Sequence, residues 1–118
     1  MLSAPLNPGT AMMYMISYHL RAEDAAAREN LENAVKRLGN WSRRMPTVWL
    51  VESKANAPQI RDFLKQHLGP QDALFIARIS KNWAGRNLGD GFAEWMKRRD
   101  FGSFVATPAA GDDASSEG

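Results

Sequence analysis

The spacing of hydrophobic positions changes repeatedly along the chain, and each change marks an element. Residues 12–20, MMYMISYHL, are aromatic and branched, hold no breaker, and are short for a helix. They predict a first strand with Tyr14, Ile16 and Tyr18 on one side and Met13, Met15, Ser17 and His19 on the other. In RAEDAAARENLENAVKRLG the period lengthens. Ala27, Leu31, Ala34, Val35 and Leu38 recur at helical spacing, acids stand at the start, Lys36 and Arg37 at the end, and Gly39 reads as a left-handed stop. NWSRRMPTVWLVES (40–53) then predicts a hairpin of two extended pieces parted by Arg43 to Pro46, the stronger being Thr47 to Val51. NAPQIRDFLKQHLGP predicts a second helix, capped by Asn56, with Pro58 in its first turn and Ile60, Phe63, Leu64, His67 and Leu68 on one stripe. DALFIARIS (72–80) is a fourth strand, with Leu74, Ile76 and Arg78 alternating against Ala73, Phe75, Ala77 and Ile79.

The order β-α-β-β-α-β, with one apolar stripe on each helix, predicts an α+β ferredoxin-like sandwich: both helices on one face of a four-stranded antiparallel sheet. After KNWAG (81–85), Asp90 reads as the cap of a final helix, GFAEWMKRR, with Phe92, Trp95 and Met96 on one side. Phe101 to Val105 reads as a short extra strand. Residues 1–11 read as a disordered leader, 12–105 as one domain and 106–118 as a disordered acidic tail. The strands carry apolar groups on both faces, so the second face wants cover, and a two-fold homodimer burying that face or an edge is expected.

Composition narrows the possibilities. The 118 residues suit one core, and no apolar stretch approaches the roughly 18 to 20 residues of a spanning helix, so no membrane partner is expected. The opening segment has no cation ahead of its apolar residues, unlike a secretory signal. The absence of cysteine removes disulfides, thiolate metal sites and cysteine nucleophiles, and the cytoplasm is the expected location. All 15 Lys and Arg lie between Arg21 and Arg99, whereas 3 of the 13 acids (Asp112, Asp113, Glu117) lie in the closing GDDASSEG, leaving a basic body. That excess favours phosphate-bearing partners, RNA or DNA, and equally serves solubility.

Nucleotide-cofactor loops, metalloprotease motifs and nucleophile elbows are absent, and no cofactor or metal is expected. The two glycines of NLGDGF could bind an anion at the following helix start, but Asp90 would repel it, and the segment reads as a turn. His67 sits on the stripe of the second helix and reads as a packed core-edge histidine. His19, at the end of the first strand, is the one catalytic candidate, weighed against a plain polar strand end. Candidates for nucleic-acid contact are Arg43 and Arg44 at the hairpin tip beside Trp41, Lys81 and Arg86 flanking Trp83, and Lys97, Arg98 and Arg99 at the end of the last helix. Trp83 has two readings: a base-stacking surface, or the favoured one, a plug that pins the last helix. Trp49 and Trp95 read as core or interface.

With strand MYMISYHL, the TVWLVES strand and DALFIARISKNWAG in this order around the two helices, residues 13–99 resemble the SinR-like family, related to the second CRISPR-associated protein family and to VapD. The most specific elements are Thr47 to Val51 and Asn82 to Gly85. The resemblance implies a ferredoxin-like homodimer, and for the CRISPR-associated relatives a metal-dependent nuclease or a nucleic-acid-bridging adaptor. Those relatives place a catalytic aspartate directly after a tyrosine at the end of the first strand, where this chain has Tyr18-His19. Two imidazoles lack the negative charge that holds magnesium between carboxylates. The leading expectation is therefore a homodimer that binds RNA or DNA without magnesium-dependent cleavage. The alternatives are a metal-dependent endonuclease using His19 with an acid the sequence does not identify, and an accessory module that binds only protein.

Overall fold

The computed structural model describes residues 10–22 and 24–102. Their elements run β1 (Met12–His19), α1 (Ala25–Lys36), β2 (Asn40–Met45), β3 (Val48–Ser53), α2 (Ala57–Leu64), a 3-10 turn (Lys65–His67), β4 (Ala73–Ile79) and α3 (Phe92–Lys97). The chain is α+β, with one four-stranded sheet in the order β2-β3-β1-β4 and every neighbouring pair antiparallel. This arrangement is compatible with the ferredoxin-like expectation. The tail over 106–118 and the leader up to residue 9 lie outside the described residues. So does most of the extra strand expected over Phe101 to Val105, whose described part, Phe101 and Gly102, is not in a strand.

Local chemistry sets the helix starts. Asp24 caps α1, its carboxylate accepting from the amides of Ala26 and Ala27 at 3.1 and 3.2 Å. Asn56 and Gln59 form a reciprocal capping box on α2, each side chain accepting from the other's amide at 2.9 Å. Three expectations need correction. Asp90 does not cap α3; Gly91 does, at φ 87°, a left-handed conformation open to glycine without steric cost. Gly39 is not a left-handed stop. It begins the approach to β2 so close to the Glu52 carbonyl that a Cβ there would collide with it. Arg43 and Arg44 are not at the hairpin tip: β2 continues through Met45, and the turn is Pro46-Thr47.

Alternation divides the apolar residues between two clusters, one on each sheet face. On the first face, Tyr14, Ile16 and Tyr18 of β1 and Trp49 and Val51 of β3 pack with Leu31, Ala34 and Val35 of α1 and Ile60, Phe63 and Leu64 of α2. On the second, Met13 of β1 packs with Phe92 and Met96 of α3 and with Phe101, and Leu50, Ile79, Leu88 and Trp95 lean on them. The second face is therefore not bare, as the case for a covering twin subunit supposed. The chain covers much of it with α3 and the segment before it. A six-residue helix has almost no stability alone, so this packing holds α3 in place.

Candidate nucleic-acid interface

The cations singled out in the sequence divide into those the fold uses internally and those it presents outward. Arg43 belongs to the first group. It pairs with Glu32 of α1 at 3.1 Å, donates to the Pro46 carbonyl through Nε and Nη2 at 3.1 and 2.7 Å, and lies 4.8 Å over the Trp49 ring. Trp49 is fully buried and donates its indole N–H to Tyr18 Oη at 2.9 Å. Arg99 is committed on the other face, pairing with Glu52 at 3.2 Å, stacking 4.7 Å over Trp95 and donating to the Trp95 carbonyl. Glu52 also accepts from Asn40 Nδ2 and from the Asp100 amide.

Arg44 points the other way from Arg43. Its guanidinium sits 5.8 Å over the Phe92 ring, beside Gly89, and no acid pairs with it among the described residues. The register of β2 on β3 shifts between Ser42 and Met45. Ser42, Arg44 and Met45 all line one groove on the second face, with Met15 and Val48 on the sheet side and Trp83, Leu88 and Phe92 opposite. The groove encloses about 210 Å³ and no acid lines it. Trp83 packs edge-on to Phe92 at 5.5 Å yet keeps 37% of its surface exposed. It contacts α3 through Phe92 but is not the buried plug of the favoured reading, and it forms a groove wall. Met45 on the rim is 46% exposed.

The remaining cations lie around this site or away from it. Arg86 lines a shallow recess on the Gly85 to Gly89 side of Trp83. Lys81 shares a second hollow with Arg78 and Phe101, and Arg78 Nη2 donates to the Phe101 carbonyl at 3.0 Å. Lys97 is exposed and pairs with Glu94 one turn back, while Arg98 is exposed. The set is thus not one continuous surface: Arg44, Trp83 and Arg86 are brought together, and Arg43 and Arg99 are drawn into the fold. Trp41, 39% exposed, lies against Trp49 and under Lys36.

His19 is exposed at the end of β1, opposite Ala73. Its neighbour Asp72 is tied to the chain, accepting from the amides of Arg21 and Gly69 at 2.8 and 2.7 Å. These two bonds, with a smaller contribution from His19, hold its carboxyl below the usual aspartate value. Among the described residues no three histidines or acids come together to hold a metal ion. His67 is half-buried, edge-on to Phe63.

Sequence reasoning missed Ser42, Met15 and Met45 as parts of a site. The only available signal was the apolar second-face register of Met13 and Met15, which says that something covers that face without saying what. No protein-family model, curated protein or solved structure matches this chain.

Proposed function

We propose that this protein binds RNA or DNA without cutting it, through the surface that carries Arg44, Trp83 and Arg86, with Lys81, Lys97 and Arg98 adding positive potential. The observation that carries the reading is the acid-free apolar groove walled by Trp83 and rimmed by Arg44. Arginine neutralises phosphate, and a partly exposed tryptophan stacks on bases. In this reading the β2-β3-β1-β4 order is the ferredoxin-like sandwich, and the resemblance to SinR-like proteins and the second CRISPR-associated family is to their adaptor role. The dimer proposed with it forms along the exposed β4 edge, where Phe75 is 60% exposed.

A salt titration of labelled oligonucleotide binding tests the reading. Neutralising three or four phosphates of a single strand gives a slope of log K on log salt of about −2 to −3. The oligonucleotide should come back intact from incubation with magnesium or manganese. An affinity indifferent to salt, or no binding at all, refutes the reading, and cleaved product refutes its non-cutting part.

A further inference from the structure

We propose that the groove on the second face is a slot for one unpaired base of a single-stranded nucleic acid, with the adjoining phosphate held by Arg44. The inference rests on the nucleic-acid reading above and narrows it to one substrate class. Four observations carry it. The groove encloses about 210 Å³, below the roughly 300 Å³ at which pockets for drug-sized ligands begin, so it suits one ring system. Its walls are thioether and ring surfaces, Met15 and Met45 facing Trp83 and Phe92, and both kinds of surface favour contact with a flat π system. Ser42, only 9% exposed, lines the groove, and its hydroxyl has no hydrogen-bond partner among the described residues. A buried hydroxyl wants a partner, and the edge of a base supplies donors and acceptors that an alkyl chain does not. Finally, Arg44 stands at the rim and Arg86 beyond Trp83, with no acid lining the groove.

That charge pattern suits a polyanion threading past the ring. A second copy of this chain is less well suited, since it would bring cations of the same sign to one seam. A duplex is disfavoured in the slot for a different reason: its bases are stacked and paired, and extruding one costs pairing and stacking free energy that a single strand does not lose.

The test is fluorescence anisotropy with a labelled 12-nucleotide single strand, as RNA and as DNA, beside the blunt duplex of the same sequence. It is run on the wild-type chain and on Trp83→Ala, Trp83→Phe and Met45→Glu. Wild type should bind at least one single strand about ten-fold more tightly than the duplex. Trp83→Ala should weaken single-strand binding by about ten-fold and duplex binding by less than two-fold, the loss expected for one stacked base. Trp83→Phe keeps a ring and should restore most of it. Met45→Glu, on the exposed rim, should weaken single-strand binding without lowering the melting temperature. Comparing the RNA with the DNA arm identifies the sugar, and competition by AMP shows whether a mononucleotide suffices.

Equal losses for strand and duplex, or none, with salt-linked binding intact, overturn the slot and leave the broader reading standing. Failure of every nucleic acid to bind overturns both. If Met45→Glu instead halves the mass in sedimentation and leaves binding unchanged, the groove belongs to a second copy and the slot is wrong.

Discussion

Arg43 and Arg44 are neighbours in sequence with opposite duties. Arg43 ties β2 to α1 through Glu32 and covers the Trp49 ring, with its side chain 27% exposed and that of Glu32 20%. Arg43→Ala should therefore cost about 1 to 2 kcal/mol in urea unfolding, the combined worth of a half-buried pair and a ring contact. Arg44→Ala should stay within about 0.5 kcal/mol, as for surface positions, and should weaken nucleic-acid binding. Nothing in the string RR separates the two. The distinction comes from alternation along β2, which sends one residue toward Glu32 and the next over Phe92, and a reading that puts both in a turn carries no such alternation.

The buried tyrosines make a second residue-scale prediction. Burial pushes the hydroxyls of Tyr14 and Tyr18 above the usual value near 10; Arg78 opposes it at Tyr14, and the Trp49 hydrogen bond chiefly opposes it at Tyr18. A group whose folded pKa is raised keeps its full contribution below its unfolded pKa and loses it as pH rises toward the folded value. Stability should thus hold to about pH 10 and fall above it. Tyr14→Phe, which gives up only a 3.8 Å contact to the Met12 sulfur, should lessen the alkaline loss at little cost near neutrality. Tyr18→Phe should cost about 1 to 3 kcal/mol at neutral pH, because the buried Trp49 N–H loses its acceptor. Denaturation followed across pH checks both.

Among elements, those with a strong period were legible, while the end of β2 and the role of α3 were not. β1, α1, α2 and β4 form where their hydrophobic spacing predicts them, each helix presenting one stripe to the first cluster and each strand alternating between the two, although α2 gives way to the 3-10 turn after Leu64. The last helix was placed correctly, but its role was not, since a short apolar stripe does not say which sheet face it will cover. Glu52 decides whether α3 stays there. It is 13% exposed in its side chain and joins Asn40 of β2, Arg99 and the Asp100 amide, so it fastens the chain after α3 to the sheet. Glu52→Ala should cost about 3 kcal/mol, since it leaves Arg99 largely buried without its partner. It should also increase Trp83 and Trp95 mobility, read as a loss of near-ultraviolet ellipticity before global unfolding.

In the whole molecule, one sheet uses its two faces differently. The first is sealed by α1 and α2. The second is closed at the Met13 end by α3 and Phe101 and open where Met15, Met45 and Trp83 meet. Hydrophobic patterning could foresee that both faces carry apolar groups. It could not foresee that the chain would cover one of them only partly, because the cover is a loop and a six-residue helix whose position depends on the Glu52 bonds and on the packing of Phe92 and Met96 against Met13 and Phe101. Among the described residues no helix is long and apolar enough to cross a membrane. The four tryptophans report on the two faces separately, Trp41 and Trp49 on the first and Trp83 and Trp95 on the second. The most direct measurement follows the four indole N–H signals by nuclear magnetic resonance while a single-stranded 12-mer is added. The Trp83 signal should shift in a saturable, salt-sensitive way while that of Trp49, buried and bonded to Tyr18, stays in place. A titration that moves Trp41 alone, or none of the four, would contradict the assignment of the second face to nucleic acid.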